Sequence, residues 1–582
     1  MKYIVVIFLL FLSLLQAENN QTQELSVPAK QLLIQGNEQI KTKQYLDALG
    51  IEQKSWIQFW KDDAVYVASK VASKASDTLR EYLDSRGYYD AKIKVDIKED
   101  LVNIDIQEGK AVIVDEIEIQ SDFNLSNIVT FVKGSNFEAS KFVDIKSNIK
   151  AELMRAGYCN YELDTKAYVD LDKRAVSLRY QLEKGELCYF GDTNITSKPE
   201  DISDSVILSR LQYNKGDVFS TAKITETFDA LNQLDAFGSG TVSPADKIGN
   251  IVPIEVALAK KEKLNIFRGG VGYDTAVGMR AQLFYERRNF MGDARKLTTT
   301  LHYSDKQKFG ELTLFSPALL SFGDEYFDFF SKLGYSNYIY DTYDENRGYF
   351  SLKLGYERDN MNFYLGLGLE NIDIKLNETD PAIIPGNFLL LYPFADFVYD
   401  GRDSKVNPKN GYYLSAYLEY GLDYDTDASS YLKFLLEARA IKSFDKLTLA
   451  AVGKLGAIDE LSGMLPASKL FYAGGAYSNR AYGEREIGTV LSPTSSATLG
   501  GKSWLNLSLE ANYPIYDELS GAVFVDSTMI SKDEYDFSAK TINTMGVGIR
   551  YATPIGPIKL DVGANIEDIK QYGIHFQIGQ SF

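Results

Sequence analysis

The chain has 582 residues, 80 Asp and Glu against 62 Lys and Arg, and a formal net charge of -18. That acidity speaks against nucleic acid as a partner and against a basic membrane-surface patch, both of which need cationic surface. Aromatic residues make up 13% of the chain, with 39 Tyr and 32 Phe, yet a mean hydropathy of -0.20 is too polar for a bundle of membrane helices. An aromatic-rich but polar chain is expected of a membrane β-barrel, whose tyrosines gather at the interfaces and whose lumen is polar.

The first element is "MKYIVVIFLLFLSLLQA", with Lys2, an apolar run from Tyr3 to Leu12, and Ala17 where cleavage would fall. The run is shorter than the roughly 20 apolar residues that span a bilayer, so residues 1–17 read as a secretory signal peptide. No cysteine follows it, which speaks against a lipoprotein. No later segment is apolar enough for a spanning helix, so membrane insertion of the exported chain has to use strands.

Up to about residue 263, helical and strand patterns alternate. "SDTLREYLDSRGYYDAKIKVDI" ends an amphipathic helix at Gly87 and opens a strand, and "LVNIDIQEGKAVIVDEIEI" gives two strands broken at Gly109. The order returns in "NIKAELMRAGYCNYELDTKAYVDL" and again in "ITETFDALNQLDAFGSGTV". The Gly-aromatic corner holds at Gly87-Tyr88 and Gly157-Tyr158 and inverts at Phe237-Gly238. This is an internal repeat, read as three α+β units over residues 18–110, 111–185 and 186–263 rather than one larger domain.

The two cysteines, Cys159 and Cys188, lie in a disulfide-permitting compartment. If the hairpin between them turns near Asp172-Lys173, residue 159 falls opposite 186 or 187, beside Cys188. A disulfide needs Cα atoms roughly 4.4 to 6.8 Å apart, which this register allows. The pair reads either as a disulfide or as two separate buried thiols.

From residue 264 the pattern changes to alternating strands. In "WLNLSLEANY", Leu505, Leu507, Leu509, Ala511 and Tyr513 face one way while Asn506, Ser508, Glu510 and Asn512 face the other. The 319 residues of 264–582, at roughly 20 per strand and connection, give about 16 strands, an even count allowed for an outer-membrane barrel. The last strand puts Ile574, Phe576, Ile578 and the terminal Phe582 on one face, which would lie against lipid. In "SGAVFVDSTMI", Val523, Val525 and Met529 share a face and Phe524 and Asp526 the other, so Asp526 should point into the lumen. Gly546, Gly548 and Arg550 should line the lumen too, the two glycines leaving a shallow place where an inserted loop could lie. That loop is "FYAGGAYSNRAYGERE", Phe471 to Glu486, too rich in glycine and charge for a strand or a buried helix.

These segments resemble a family, the outer-membrane assembly and secretion barrels that carry periplasmic POTRA domains. "GVGIRYATPIGPIKLDVG", from Gly546 through Gly548, Arg550 and Pro557 to Asp561 and Gly563, is similar to its penultimate-strand signature. "YDGRDSKVNPKNGYYL", with Arg402-Asp403, Pro408 and Gly411, and "YNKGDVFS" at 213–220 resemble further family segments. The loop resembles the family's arginine-glycine-aromatic motif in Arg480, Tyr482 and the following Gly483, with Ala481 in place of the usual glycine. The resemblance implies that this loop folds into the barrel and that Arg480 meets an acid on the wall. Asp526 is the first candidate and Glu510 the next, with Thr528 where the family has glycine.

About three periplasmic units most resemble the outer-membrane subunit of the translocation and assembly module (TamA-like). The resemblance implies insertion or translocation of outer-membrane proteins such as autotransporters, an inner-membrane-anchored, periplasm-spanning partner (TamB-like), contact with outer-membrane lipid, and no cofactor. The alternatives are a main barrel-assembly or two-partner secretion barrel of the same superfamily, or a passive porin. An enzyme is not expected, since HExxH, GxSxG and P-loop patterns are absent from the sequence and the two histidines, His302 and His575, fall in strand contexts. The first strand carries Gly269, Gly270 and Gly272 and the last carries Gly573 and Gly579, so their seam should be the weakest pairing in the barrel. These glycines would otherwise merely relieve crowding where the barrel curves.

Overall fold

The structure is a computed structural model and describes residues 29–51, 64–274, 278–323, 325–340, 343–358, 360–376, 383–423, 430–463, 465–490, 498–516, 518–553 and 557–578. Residues 1–17, read above as a signal peptide, Pro554 to Gly556, Gly579 and Phe582 lie outside them. The chain divides into two compact units at places other than the repeat boundaries read from sequence. One comprises residues 1–191, 215–222 and 246–252, and the other 192–214, 223–245 and 253–582.

In the first unit, the first repeat is a four-stranded sheet in the order Tyr66–Ala68, Ala29–Gln35, Leu101–Gln107, Lys92–Ile97. The helix Ser69–Ser85 buries Ala72, Ala75, Leu79 and Leu83, one stripe at helical spacing. It packs with Val102, Ile104 and Ile106, alternate residues of the strand Leu101–Gln107. Glu108 closes this repeat: its buried carboxylate accepts the backbone N–H of Glu38 (3.1 Å), Gln39 and Ile40 (3.0 Å), and the Tyr45 hydroxyl (2.7 Å). Burial, then the Glu108 carboxylate, pushes the Tyr45 phenol up, so it stays a donor.

The second repeat has the sheet order Ile113–Ser121, Ala175–Glu183, Glu162–Asp170, with the helix Ala139–Arg155 burying Ile145, Ile149 and Leu153. The recurring Gly-aromatic corner has one cause in both repeats. Gly87 and Gly157 take left-handed φ of 83° and 96°. The next N–H, of Tyr88 or Tyr158, then returns to the carbonyl of Leu83 or Leu153 at 2.9 Å, a Schellman ending that glycine alone adopts without strain. Cys159 and Cys188 are joined by a disulfide with Cα atoms 5.9 Å apart. The Cys188 N–H donates to the Gly157 carbonyl beside it at 2.8 Å.

The third sheet runs Tyr189–Ser197, Ile251–Lys260, Phe237–Pro244. Its helix Thr221–Gln233 ends differently from the other two, and the apparent inversion at Phe237-Gly238 is not the corner at all. Asp235 holds the left-handed position at φ 56°, a conformation aspartate tolerates, and Phe237 already begins the strand. Within the second unit, Ile202, Val206, Ile207, Leu231 and Val256 share a core with Ala294, which follows the second barrel strand. Arg210 pairs with the buried Asp328 at 2.6 Å. That common core puts most of the third repeat in one compact unit with the barrel sheet, across the boundary at 263.

The largest sheet has 16 antiparallel strands, each paired with the next, from Asn265–Asp274 to Tyr572–Ile578. The middle strands reach 16 residues, as in Gln307–Phe322. Its faces are inverted relative to a soluble sheet: Leu507, Leu509, Val523, Val525, Met545 and Val547 are exposed, while Asn506, Glu510, Asp526 and Asp561 on the other face are buried. Such a sheet is stable when its apolar face meets lipid and its polar face closes on itself as a barrel. Met529 departs from the face expected of it: it is 2% exposed, at the end of the strand where residues 533–536 fold back onto Ser503, Lys502 and Phe434. Among the described residues, no register joins the last strand to the first.

Candidate functional site

The loop between the eleventh strand, Leu447–Ser462, and the twelfth, Ser503–Tyr516, lies against the polar face of the sheet. Gly474 and Gly475, at φ 101° and 88°, let it double back, so that the Gly475 N–H reaches the Tyr482 carbonyl at 2.9 Å. A side chain at Gly474 would run into the Gly483 carbonyl. Glu486 then accepts the Gly483 N–H at 2.7 Å. The turn presents Arg480, only 4% exposed, to the wall.

Arg480 is held on every side. Its Nε and Nη2 donate to the two oxygens of Asp526 at 3.0 and 2.9 Å, and its backbone N–H adds a third bond to that carboxylate at 3.0 Å. Nη1 donates to Glu510 at 2.6 Å and lies 3.5 Å from Asp561. The guanidinium also stacks on the Phe524 ring, 3.4 Å from its centroid. Arg550 completes the array, donating to Asp561 at 2.5 Å and to both Glu510 oxygens at 3.0 and 3.1 Å. Three carboxylates and two guanidiniums thus alternate in a buried site, where bidentate geometry is worth most.

The structure therefore brings Asp526 and Glu510 to Arg480 together, and adds Asp561. Gly546 and Gly548 lie on the expected face but do not receive the loop backbone. A side chain at Gly546 would overlap the Phe524 ring, and one at Gly548 the Asp561 carboxylate. They clear space for the groups around Arg480. The loop backbone rests instead on Gly563 and Gly573, where an added Cβ would stand 2.7 Å from the Arg480 carbonyl. Gln571 donates to the Ala481 carbonyl at 3.1 Å and Asn565 to the Tyr482 hydroxyl at 2.7 Å. The loop is thereby keyed to the last two strands. Ala481 does not have positive φ, so alanine fits where the family motif has glycine.

Sequence reasoning missed two further sets of contacts. Asn479 bonds Thr528 (3.3 Å), the Ile542 carbonyl (3.2 Å) and Thr544 (2.6 Å), and Thr528 bonds Asn506 at 2.6 Å. Thr528 thus has a use for its hydroxyl where the family has glycine. On other strands, Lys469 of the same loop meets Glu419 at 3.0 Å and Glu370 at 3.2 Å beneath the Tyr392 ring. Arg485 lies between Tyr340 and Tyr472 and donates to the Tyr343 hydroxyl at 3.2 Å. A lone lysine between Ser468 and Leu470 carries no recognisable pattern, so only the fold could reveal it.

Of the seam residues, Gly269 and Gly270 lie in the first strand, where among the described residues a Cβ at 269 would meet only Leu283 within 3.4 Å and one at 270 nothing within 4 Å. Gly272 lies in the same strand. Ile574 and Phe576 of the last strand are exposed on the apolar face. His302 stacks on Phe309, and His575 lies beside Gly573.

Residues 289–582 match the Omp85 superfamily domain, and residues 29–109 match the POTRA model described as a surface antigen variable number repeat. The outer membrane protein assembly factor BamA of Nitratidesulfovibrio vulgaris is 23% identical over 95% of this chain and 73% of its own length. The crystal structure of Haemophilus ducreyi BamA lacking POTRA domains 1-3 superposes with a TM-score of 0.54 at 18% identity, over 80% of this chain and 99% of that one. CdiB from Acinetobacter baumannii gives 0.46 at 14% identity, over 81% and 90%.

Proposed function

The chain belongs to the Omp85 superfamily, an outer-membrane barrel with periplasmic POTRA domains, and from that premise we propose that it is the outer-membrane subunit of a translocation and assembly module. It helps insert or translocate other outer-membrane proteins, autotransporters among them, without enzymatic chemistry of its own. A periplasm-spanning partner anchored in the inner membrane delivers clients to the POTRA repeats. The observation that carries this reading is the chain's organisation: three α+β repeats ahead of a 16-stranded sheet whose loop is pinned to its inner face. A main assembly barrel is the second reading, favoured by the relative named BamA.

A passive pore fits less well, because a loop held by Arg480, Lys469 and Arg485 occupies the lumen face on several strands. Purified protein in liposomes, supplied with an unfolded autotransporter β-domain, tests the reading. Protease-protected client should accumulate faster than in empty liposomes, and crosslinking in whole membranes should recover an inner-membrane-anchored partner. Large steady single-channel currents with no gain in client insertion would replace assembly by a pore. Recovery of the essential assembly machinery's lipoproteins instead of that partner would favour the second reading.

A further inference from the structure

The apolar face of the sheet is not uniform. Across the ninth to fourteenth strands it carries a groove of about 790 Å³. The groove exists because alanines stand on three neighbouring strands: Ala440 opposite Ala451, and Ala511 opposite Leu449. Tyr412 and Phe444 rise at its margin. Lys442 also lines it, and is exposed on the same face as Phe444.

A cation on a lipid-facing wall is unfavourable unless its ammonium reaches polar headgroups. Lys442 is two residues from the end of its strand, Ser430–Phe444, beside the turn at Asp445 and Lys446. The chain enters the barrel at Asn265, and alternate turns, this one included, fall at that entry end, the periplasmic side. Lys442 has no ion-pair partner among the described residues. Its register neighbours are Asn410 and Leu449, neither of them an acid.

We infer that this groove seats one phospholipid of the periplasmic leaflet, its acyl chain along the alanine floor and its phosphate on Lys442. Charge complementarity selects the occupant, since the groove is apolar along its length and cationic only at the headgroup level. The position gives the seat a consequence. Leu509, Ala511, Val523 and Val525 line the groove, and they flank Glu510 and Phe524, which hold Arg480 on the other face. A seated lipid therefore packs the back of the wall that anchors the loop.

Native mass spectrometry of the full chain, extracted in a phosphate-free maltoside, tests this with added palmitoyl-oleoyl phosphatidylglycerol or phosphatidylethanolamine. The wild type should retain one phospholipid mass. Lys442→Glu should retain about tenfold less, as expected for loss of a charge-assisted contact. Ala451→Phe, which fills the floor, should also lose it, and lipid should raise the unfolding temperature of the wild type above that of either variant. Lys442 is exposed, so its variant folds even if Ala451→Phe does not. Equal retention by wild type and Lys442→Glu would mean ordinary annular lipid and would overturn the inference. So would retention of lipopolysaccharide alone, or of detergent in place of phospholipid.

Discussion

At the scale of single residues, Arg480 is the group on which most depends. Removing one partner of a buried ion pair costs about 3 to 5 kcal/mol, because the other charge is left unpaired. Arg480→Ala and Asp526→Ala should each lower stability in detergent by about that much, and the double variant should cost much less than the sum. Arg480→Lys should not restore it, since an ammonium lacks the fork that spans both Asp526 oxygens. Additive losses would show that the two side chains act separately. Asp526 could be read from alternation alone, because a strand's side chains change face at every residue. The part played by Asp561 could not, for it depends on the register that sets Gly548 opposite Asp561.

Two glycines separate a structural role from mere flexibility. Gly573→Val would push a side chain into the Arg480 carbonyl, whereas Gly270→Val meets open space. We expect trypsin to cut after Arg480 in the first variant and to leave the loop intact in the wild type and the second, as fragment masses would report. Equal protection in all three would detach the loop from the last strand.

At the scale of elements, the repeat was legible because its corner is a local device: a helix, a left-handed glycine and a returning aromatic N–H. The third repeat was misread at Phe237-Gly238 because Asp235 supplies the same backbone shape with a different residue. The disulfide between Cys159 and Cys188 closes a loop at a sequence separation of 29. In the chain-entropy account such a link contributes about 3 to 4 kcal/mol, by restricting the unfolded chain. Non-reducing mass spectrometry of oxidised protein should find the linked peptides, and reduction should destabilise a fragment that runs from the first repeat past Cys188 by about that amount. Two free thiols in oxidised material would contradict it. The strands were the most legible elements, since "WLNLSLEANY" states both its faces outright. Their lengths were not, because the residues beyond each apolar band follow no period.

At the scale of the whole molecule, the polar loop and the last two strands form one linked arrangement: Gly563, Asn565, Gln571 and Gly573 all touch residues 480–482. The glycines at the seam read as weakening its pairing, with relief of crowding as the rival reading. In the structure Gly573 seats the loop, while a Cβ at Gly270 would meet nothing within 4 Å among the described residues. Under the proposed function, we expect a loop anchored on the closing strands to hold that edge ready for a client strand, which would add by backbone pairing. The most direct measurement introduces one cysteine in Asn265–Asp274 and one in Tyr572–Ile578, choosing the pair that crosslinks fully, and follows client insertion into liposomes. Insertion should stop in the oxidised state and return on reduction. Undiminished insertion with the two strands fully crosslinked would contradict the account.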